Sequence, residues 1–493
     1  MILSEIKTLL RDSSYYFVGQ IIIMAAGFIS FPVLTRIFSV ADYGILGLIT
    51  TTLLIAIAIS KLGFPNSIVR FYAEFKSKNQ LVSFYSTMFL GTAGLAASIA
   101  ALFAFITQLI GNNFFSKNII DLFPFAAILI FTGCTLDTLN SFFRAEQRVK
   151  SYSLLSILRR YGSLAVGIFF VLYVSNSLFG FFLGQAISGT MIFLSFLYIF
   201  CKKEKINFQK FSFVIFKDSI KFGFPLIWAE LGHLFLHYTD RYLIQLYLGS
   251  TSLGLYTAGY NLATYVTEII MYPINYAIAP IYMTILVNKG EEKTRQFFTN
   301  SFRYFLLIML PIVFGFIDVG KDLISFLASE KYVEAYAILP YVVVGQSVYA
   351  CTIILNSGLF MKKKTYIMTN IMVMTCLMNI AINMLLIPRF GIIGAGRANL
   401  ISNVFYTIVI THYAFKEFSF RIDYRRIIMY FASSLVMFII IRNIHLEDRL
   451  LNLVSKVGIG TIIYSSLVLL FDKEIRSKLT SFVRSFKKPM VVT

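Results

Sequence analysis

Residues 221–259 read KFGFPLIWAELGHLFLHYTDRYLIQLYLGSTSLGLYTAG, and the fold turns on them. The part from Lys221 to Gly249 is long enough to cross a bilayer, since about 20 helical residues span roughly 30 Å of hydrocarbon. Yet Glu230, His233, His237, Asp240 and Arg241 all stand inside it. At about 100° of helix per residue, these ionisable positions share an arc of roughly 100°. The remaining surface is Leu, Ile, Phe, Tyr and Trp. Lipid expels such a stripe, so the pattern predicts that it faces other helices or a water-filled cavity. In a membrane protein that is a signature of a functional site.

The rest of the chain supports a membrane reading. Of 493 residues, 58% are hydrophobic and 14% charged, and the mean hydropathy is +0.76. Soluble domains carry about 25% charged residues. The expectation is therefore an all-α polytopic membrane protein without a second, soluble domain. A net charge of +20 raises nucleic acid as a partner, but the Lys and Arg residues sit in short clusters between apolar runs. Cytoplasmic loops and anionic lipid account for that distribution, and no nucleic-acid partner is expected. Cys134, Cys201, Cys351 and Cys376 are scattered without metal-type spacing, which argues against disulfides and a metal centre. The apolar run from Ser13 to Thr35 is too long for a signal-peptide core and reads as an uncleaved first span.

Counting apolar runs of helical length gives about 14 transmembrane helices. Spans 1–6 are expected at 13–36, 44–70, 82–110, 119–143, 152–174 and 178–201. Spans 7–12 are expected at 221–249, 253–285, 298–320, 335–360, 366–387 and 392–415, and the last two at 425–442 and 453–471. About 30 of the 44 Lys and Arg fall in the N-terminus, the even-numbered loops and the C-terminus, which places both termini in the cytoplasm. Loose repeats run through the chain at offsets of about 208 to 214 residues. Asp42-Tyr43-Gly44 answers to Ser252-Leu253-Gly254, Phe64-Pro65 to Tyr272-Pro273, and Lys150-Ser151-Tyr152 to Lys364-Thr365-Tyr366. That offset equals six spans, so the two copies share one orientation. The expected architecture is two parallel six-helix bundles around a central cavity, plus two C-terminal helices. By residue number these are an N-terminal bundle (1–201), a cytoplasmic linker (202–220), a C-terminal bundle (221–415), and spans 13–14 with a basic cytoplasmic tail (416–493).

Thr239-Asp240-Arg241-Tyr242, followed by LGSTSLGLYTAGY at 248–260, resembles the polysaccharide-transporter branch of the MOP superfamily. These are the Wzx-type flippases of O-antigen and capsule repeat units. Phe31-Pro32 with Thr35-Arg36, then Ala41-Asp42-Tyr43-Gly44, is similar to the family's opening segment, and the resemblance covers essentially the whole chain. It implies movement of an undecaprenyl-pyrophosphate-linked oligosaccharide from the cytoplasmic to the outer leaflet of a bacterial inner membrane, in lipopolysaccharide biosynthesis. A polysaccharide polymerase and a chain-length regulator are the implied protein partners, beside membrane lipids.

Such a substrate needs a wet, cationic cavity for two phosphates and a lateral opening for its lipid tail. Lys61, deep in span 2, is the leading phosphate anchor, with Arg36 and Arg241 beside it as substrate-binding candidates; an internal ion pair at Lys61 is the competing reading. Arg159, Arg160, Arg303 and Arg397 lie nearer span ends and read as structural. Glu230, His233, His237 and Asp240, with Glu268 in span 8, are candidates for coupling to H+ or Na+ and for gating. A static hydrogen-bonded network explains the same stripe. The repeat offset sets Lys61 opposite Ile269, one residue from Glu268; where the proline kinks rotate the two helices to face each other, an unoccupied cavity closes on a Lys61–Glu268 pair. No catalytic motif or P-loop is present and no cofactor is expected. The alternatives are a multidrug/cation antiporter of the same superfamily, a membrane-embedded polysaccharide polymerase or ligase, and a non-transporting scaffold.

Overall fold

Glycine and proline mark some of the breaks between the helices of this chain, while asparagine, glutamine and lysine turn it at others. The computed structural model describes residues 2–114, 117–203, 205–478 and 480. The basic tail beyond 480 and the side chains of Lys7 and Arg11 lie outside the described residues. Helices follow one another as α1 (Ile2–Ile37), α2 (Val40–Lys61), α3 (Phe64–Ser77), α4 (Leu81–Phe114), α5 (Lys117–Ile120), α6 (Phe123–Ala145), α7 (Val149–Tyr173) and α8 (Leu178–Lys202). Then come α9 (Phe213–Ala328), α10 (Leu339–Ala350), α11 (Thr352–Leu355), α12 (Ser357–Met361), α13 (Thr365–Glu417), α14 (Tyr424–Arg442) and α15 (Arg449–Phe471). The chain is a multi-pass, all-helical membrane protein: among the described residues, 11 helical stretches are long and apolar enough to cross a bilayer.

Two of those stretches exceed a single crossing. The 116 residues of α9 would reach roughly 170 Å if straight, several bilayer thicknesses. Gly249 (φ +81°) and Gly290 (φ +76°) turn the run, close to the boundaries expected between spans 7, 8 and 9. Gly391 (φ +59°, ψ −143°) does the same inside α13, between expected spans 11 and 12. Only glycine adopts these angles without a Cβ clash.

Span 2 corrects the sequence expectation. Instead of one helix over 44–70, α2 ends at Lys61, Leu62 and Gly63 turn left-handed (φ +41° and +73°), and α3 starts with Pro65 in its first turn. Lys61 therefore stands at a helix end and not in mid-helix.

The chain divides into two compact units. The first comprises the residues up to Thr257 together with Met372–Ala395. In it, the early part of α9 lies antiparallel along α2, gripped by glycine at both ends. A Cβ on Gly254 would come 1.8 Å from the Val40 carbonyl oxygen, and one on Gly44 would come 2.3 Å from that of Ser250. At the opposite end, a Cβ on Gly63 would lie 2.1 Å from the Gly223 carbonyl oxygen. Close backbone approach through small residues is how helices associate in lipid, where apolar side chains gain little by leaving the solvent.

The second unit comprises Ala258–Ile371 and the residues from Gly396 onward. Here α15 is fastened to the last stretch of α9 by a polar ladder. Lys456 Nζ lies 2.9 Å from Asp318 Oδ2, Asn452 donates to Asp322 at 2.8 Å, and Arg449 pairs with Glu330 just past the end of α9. Beside the ladder runs an apolar groove of about 680 Å³, with Pro311, Phe316, Met437, Val457 and Tyr464 among its lining residues and Lys456 at its edge.

Candidate functional site

Four charged side chains from four helices meet in the first unit. Lys61 closes α2, and its Nζ lies 3.0 Å from Glu230 Oε1 on α9 and 3.3 Å from Asp137 Oδ2 on α6. The other Asp137 oxygen accepts a hydrogen bond from Arg159 on α7. Asp137 thus bridges two cations, and Lys61 bridges two carboxylates.

Local sequence explains the register. Helices α6 and α7 form a hairpin whose turn holds Arg148, and Asp137 and Arg159 are equally far from it on either side. Asn140 and Ser156, also symmetric about Arg148, meet one turn nearer the loop, with the amide donating at 2.9 Å. Gly133 precedes Asp137 by one turn and makes room. A Cβ there would lie 2.6 Å from Ile57 Cδ1 and 3.2 Å from Arg159 Nη2.

The cluster is balanced, two cations against two carboxylates, and it is open. Side-chain exposure is 15% for Lys61, 29% for Asp137, 34% for Arg159 and 42% for Glu230. Lipid expels charge, so the surface these groups share is a wet one. The arrangement can exchange partners. An incoming anion would replace Glu230, the most exposed member, on Lys61, while Asp137 keeps both cations oriented.

The stripe on α9 separates into an open and a closed part. Glu230 and His233 are exposed, whereas His237, Asp240 and Arg241 are buried. The His233 and His237 rings lie 4.5 Å apart. Asp240 accepts a hydrogen bond from Tyr256. Arg241 Nη1 donates to Thr51 at 2.9 Å and to the Gly47 carbonyl at 3.4 Å, with its guanidinium 4.8 Å from the Tyr238 ring centroid. Tyr242 and Thr52 share a hydroxyl contact of 2.8 Å. Arg241 and its neighbours therefore tie α9 to α2.

Arg36 reaches the Pro32 carbonyl at 3.4 Å in the last turn of α1 and is not among the four clustered charges. Glu268 belongs to the second unit. The carboxylates on Lys61 are Asp137 and Glu230, because the break at Leu62–Gly63 ends α2 at Lys61 against α6 and α9.

Sequence reading brought forward Lys61 and Glu230, passed over Asp137, and set Arg159 aside as structural. A lone carboxylate in an apolar span was itself the available signal for Asp137.

Comparison with known proteins bears on the family and the fold. A family model described as "Polysaccharide biosynthesis protein" matches residues 9–286. The chain is 20% identical to the "Probable low-salt glycan biosynthesis flippase Agl15" of Haloferax volcanii over 355 residues, 71% of this chain and 74% of that one. Its fold is similar to a solved structure of "Lipid II flippase MurJ, inward closed conformation", with a TM-score of 0.71, 15% identity, and coverage of 93% and 99% of the two chains. An inward-facing multidrug resistance MATE family transporter of the MOP superfamily matches at a TM-score of 0.57 and 14% identity, covering 82% of this chain and 94% of the transporter. This chain belongs to the polysaccharide biosynthesis protein family.

Proposed function

We propose that this protein is a flippase that carries undecaprenyl-pyrophosphate-linked oligosaccharide repeat units, of the O-antigen type, from the cytoplasmic to the outer leaflet of a bacterial inner membrane. It works by alternating access and is not an enzyme. The observation that carries the reading is the partly exposed Lys61–Asp137–Arg159–Glu230 cluster in a membrane protein. Pyrophosphate takes Lys61 and, through Asp137's hold on both cations, meets Arg159 beside it. Two phosphates against two cations form charge-assisted hydrogen bonds stronger than neutral ones. The isoprenoid tail requires an apolar path beside this headgroup site.

Coupling to H+ or Na+ is assigned to Glu230, His233, His237, Asp240 and Glu268, with Arg36 as a further headgroup contact and Arg241 reaching the headgroup only when its α2–α9 contact opens. A polymerase and a chain-length regulator are the natural protein partners for the product. The balanced charge of the cluster leaves a cation antiporter as the second reading, in which Asp137 and Glu230 would hold the substrate. Deletion of the protein tests the function: lipid-linked repeat units should accumulate on the inner leaflet and clear when the wild-type chain is restored. Unchanged surface polysaccharide after deletion would contradict it.

A further inference from the structure

A second cationic cavity lies in the first unit and shares no residue with the Lys61 cluster. It has a volume of about 480 Å³ and is enclosed by Tyr72 of α3, Leu81, Val82 and Tyr85 of α4, Glu146 and Arg148 of the α6–α7 turn, and Lys203 and Lys205 after α8. That volume lies within the range of small-ligand pockets, about 300–1,000 Å³. Among the described residues that line it, three cations face one carboxylate. Glu146 accepts hydrogen bonds from Lys205 and from the Tyr85 hydroxyl (2.7 Å), with Arg148 at 3.5 Å. Lys203 has no ion pair among the described residues.

The cations are also fixed by ring faces. Lys205 Nζ lies 5.5 Å from the Tyr85 ring centroid and 5.6 Å from that of Phe200, and Arg148 lies 5.5 Å from that of Phe143. Below them Tyr72 stacks on Tyr85, centroids 6.4 Å apart. Among the described residues, Glu146 therefore orients the cavity and leaves it with more cations than carboxylates. The α6–α7 turn and the linker after α8 both belong to the side that the basic-residue bias assigns to the cytoplasm, at the level of lipid headgroups.

We propose that this cavity binds a phosphate group, supplied by the headgroup of an anionic phospholipid in the cytoplasmic leaflet and held by Arg148, Lys203 and Lys205. Basic pockets between helix ends on the cytoplasmic side take such headgroups. The apolar Leu81 and Val82 at the rim lie where acyl chains begin. The bound lipid clasps the α6–α7 turn to the linker that leads into α9. That linker is already stitched to α4: the Asn207 and Ser212 amides donate to Ser86 and Thr87 at 2.8 and 2.9 Å, respectively.

The test is thermal unfolding of the detergent-purified full chain titrated with phosphatidylglycerol, phosphatidylcholine or inorganic phosphate. Phosphatidylglycerol should raise Tm saturably, and phosphatidylcholine should not. Lys203→Gln removes no internal contact and should fold normally, and Arg148→Gln is the second probe. Each should weaken the phosphatidylglycerol midpoint about fivefold. Equal shifts from both lipids, or unchanged midpoints in both variants, would overturn the site. Full stabilisation by inorganic phosphate at the same concentration as the lipid would overturn the lipid as its source.

Discussion

Lys61 and Glu230 are 169 residues apart in the chain, yet their charged atoms lie 3.0 Å from each other. The pair joins the end of α2 to the helix whose polar stripe is the most conspicuous feature of the sequence. If Lys61 anchors phosphate, Lys61→Ala should lower export about 10- to 100-fold, the worth of one charge-assisted hydrogen bond. Lys61→Arg should keep much of it, because the charge survives. The measurement is complementation at matched protein abundance. Under the antiporter reading the order reverses, with Asp137→Asn and Glu230→Gln causing the loss and Lys61→Ala tolerated.

Glycine contacts set the approach of α9 to α2. Gly254→Ala places a methyl group against the Val40 carbonyl and should cost about 1–3 kcal/mol or more. Gly63→Ala adds strain at φ +73°. Gly458→Ala, with nothing within 4 Å of the added atom, should leave the melting temperature unchanged or slightly higher. Equal melting of all three variants would show that these contacts do not constrain the helices.

Much of this fold was legible because apolar runs in a bilayer are read by length. The turns at Gly249, Gly290 and Gly391 fall close to the expected span boundaries. The break at Leu62–Gly63 carried its own signal in Gly63 and Pro65, but the apolar residues on either side carried the expected span across it. Lys61 and Glu230 stood out as charges among apolar residues. Their partnership did not, because pairing across distant helices depends on tertiary register. Asp137 and Arg159 lay nearer to reach: equal distances from a predicted turn are a register that the α6–α7 hairpin imposes.

Glu146 supplies a pH test outside the spans. Burial alone would raise its carboxyl, but the hydrogen bonds from Lys205 and Tyr85, together with the charges of Lys205 and Arg148, outweigh this and hold it below the usual carboxylate range. A depressed folded value stabilises the protein at neutral pH, and that contribution is lost as pH falls through the folded value. Thermal melts from neutral to acid pH should therefore drop more steeply for wild type than for Glu146→Gln. Parallel slopes would contradict the assignment.

In the second unit, the Lys456–Asp318 pair has side chains only 7% and 8% exposed. Lys456→Ala strands a buried carboxylate and should destabilise by about 3–5 kcal/mol. Replacing both, as Lys456→Met with Asp318→Leu, should recover most of that loss in the same thermal melt. If the double variant melts no higher than Lys456→Ala, the pair has a role beyond mutual neutralisation.

The central claim is movement of a lipid-linked oligosaccharide across a bilayer. Its most direct test is reconstitution of the purified chain into vesicles carrying undecaprenyl-pyrophosphate-linked oligosaccharide in both leaflets, under an imposed H+ or Na+ gradient. A membrane-impermeant glycan-cleaving enzyme is then added outside. With wild-type protein, the sugar of the inner leaflet should become cleavable, and with Lys61→Ala it should stay protected. Protection of the inner-leaflet pool by folded wild-type protein under either gradient, to the same extent as in empty vesicles, would contradict the account.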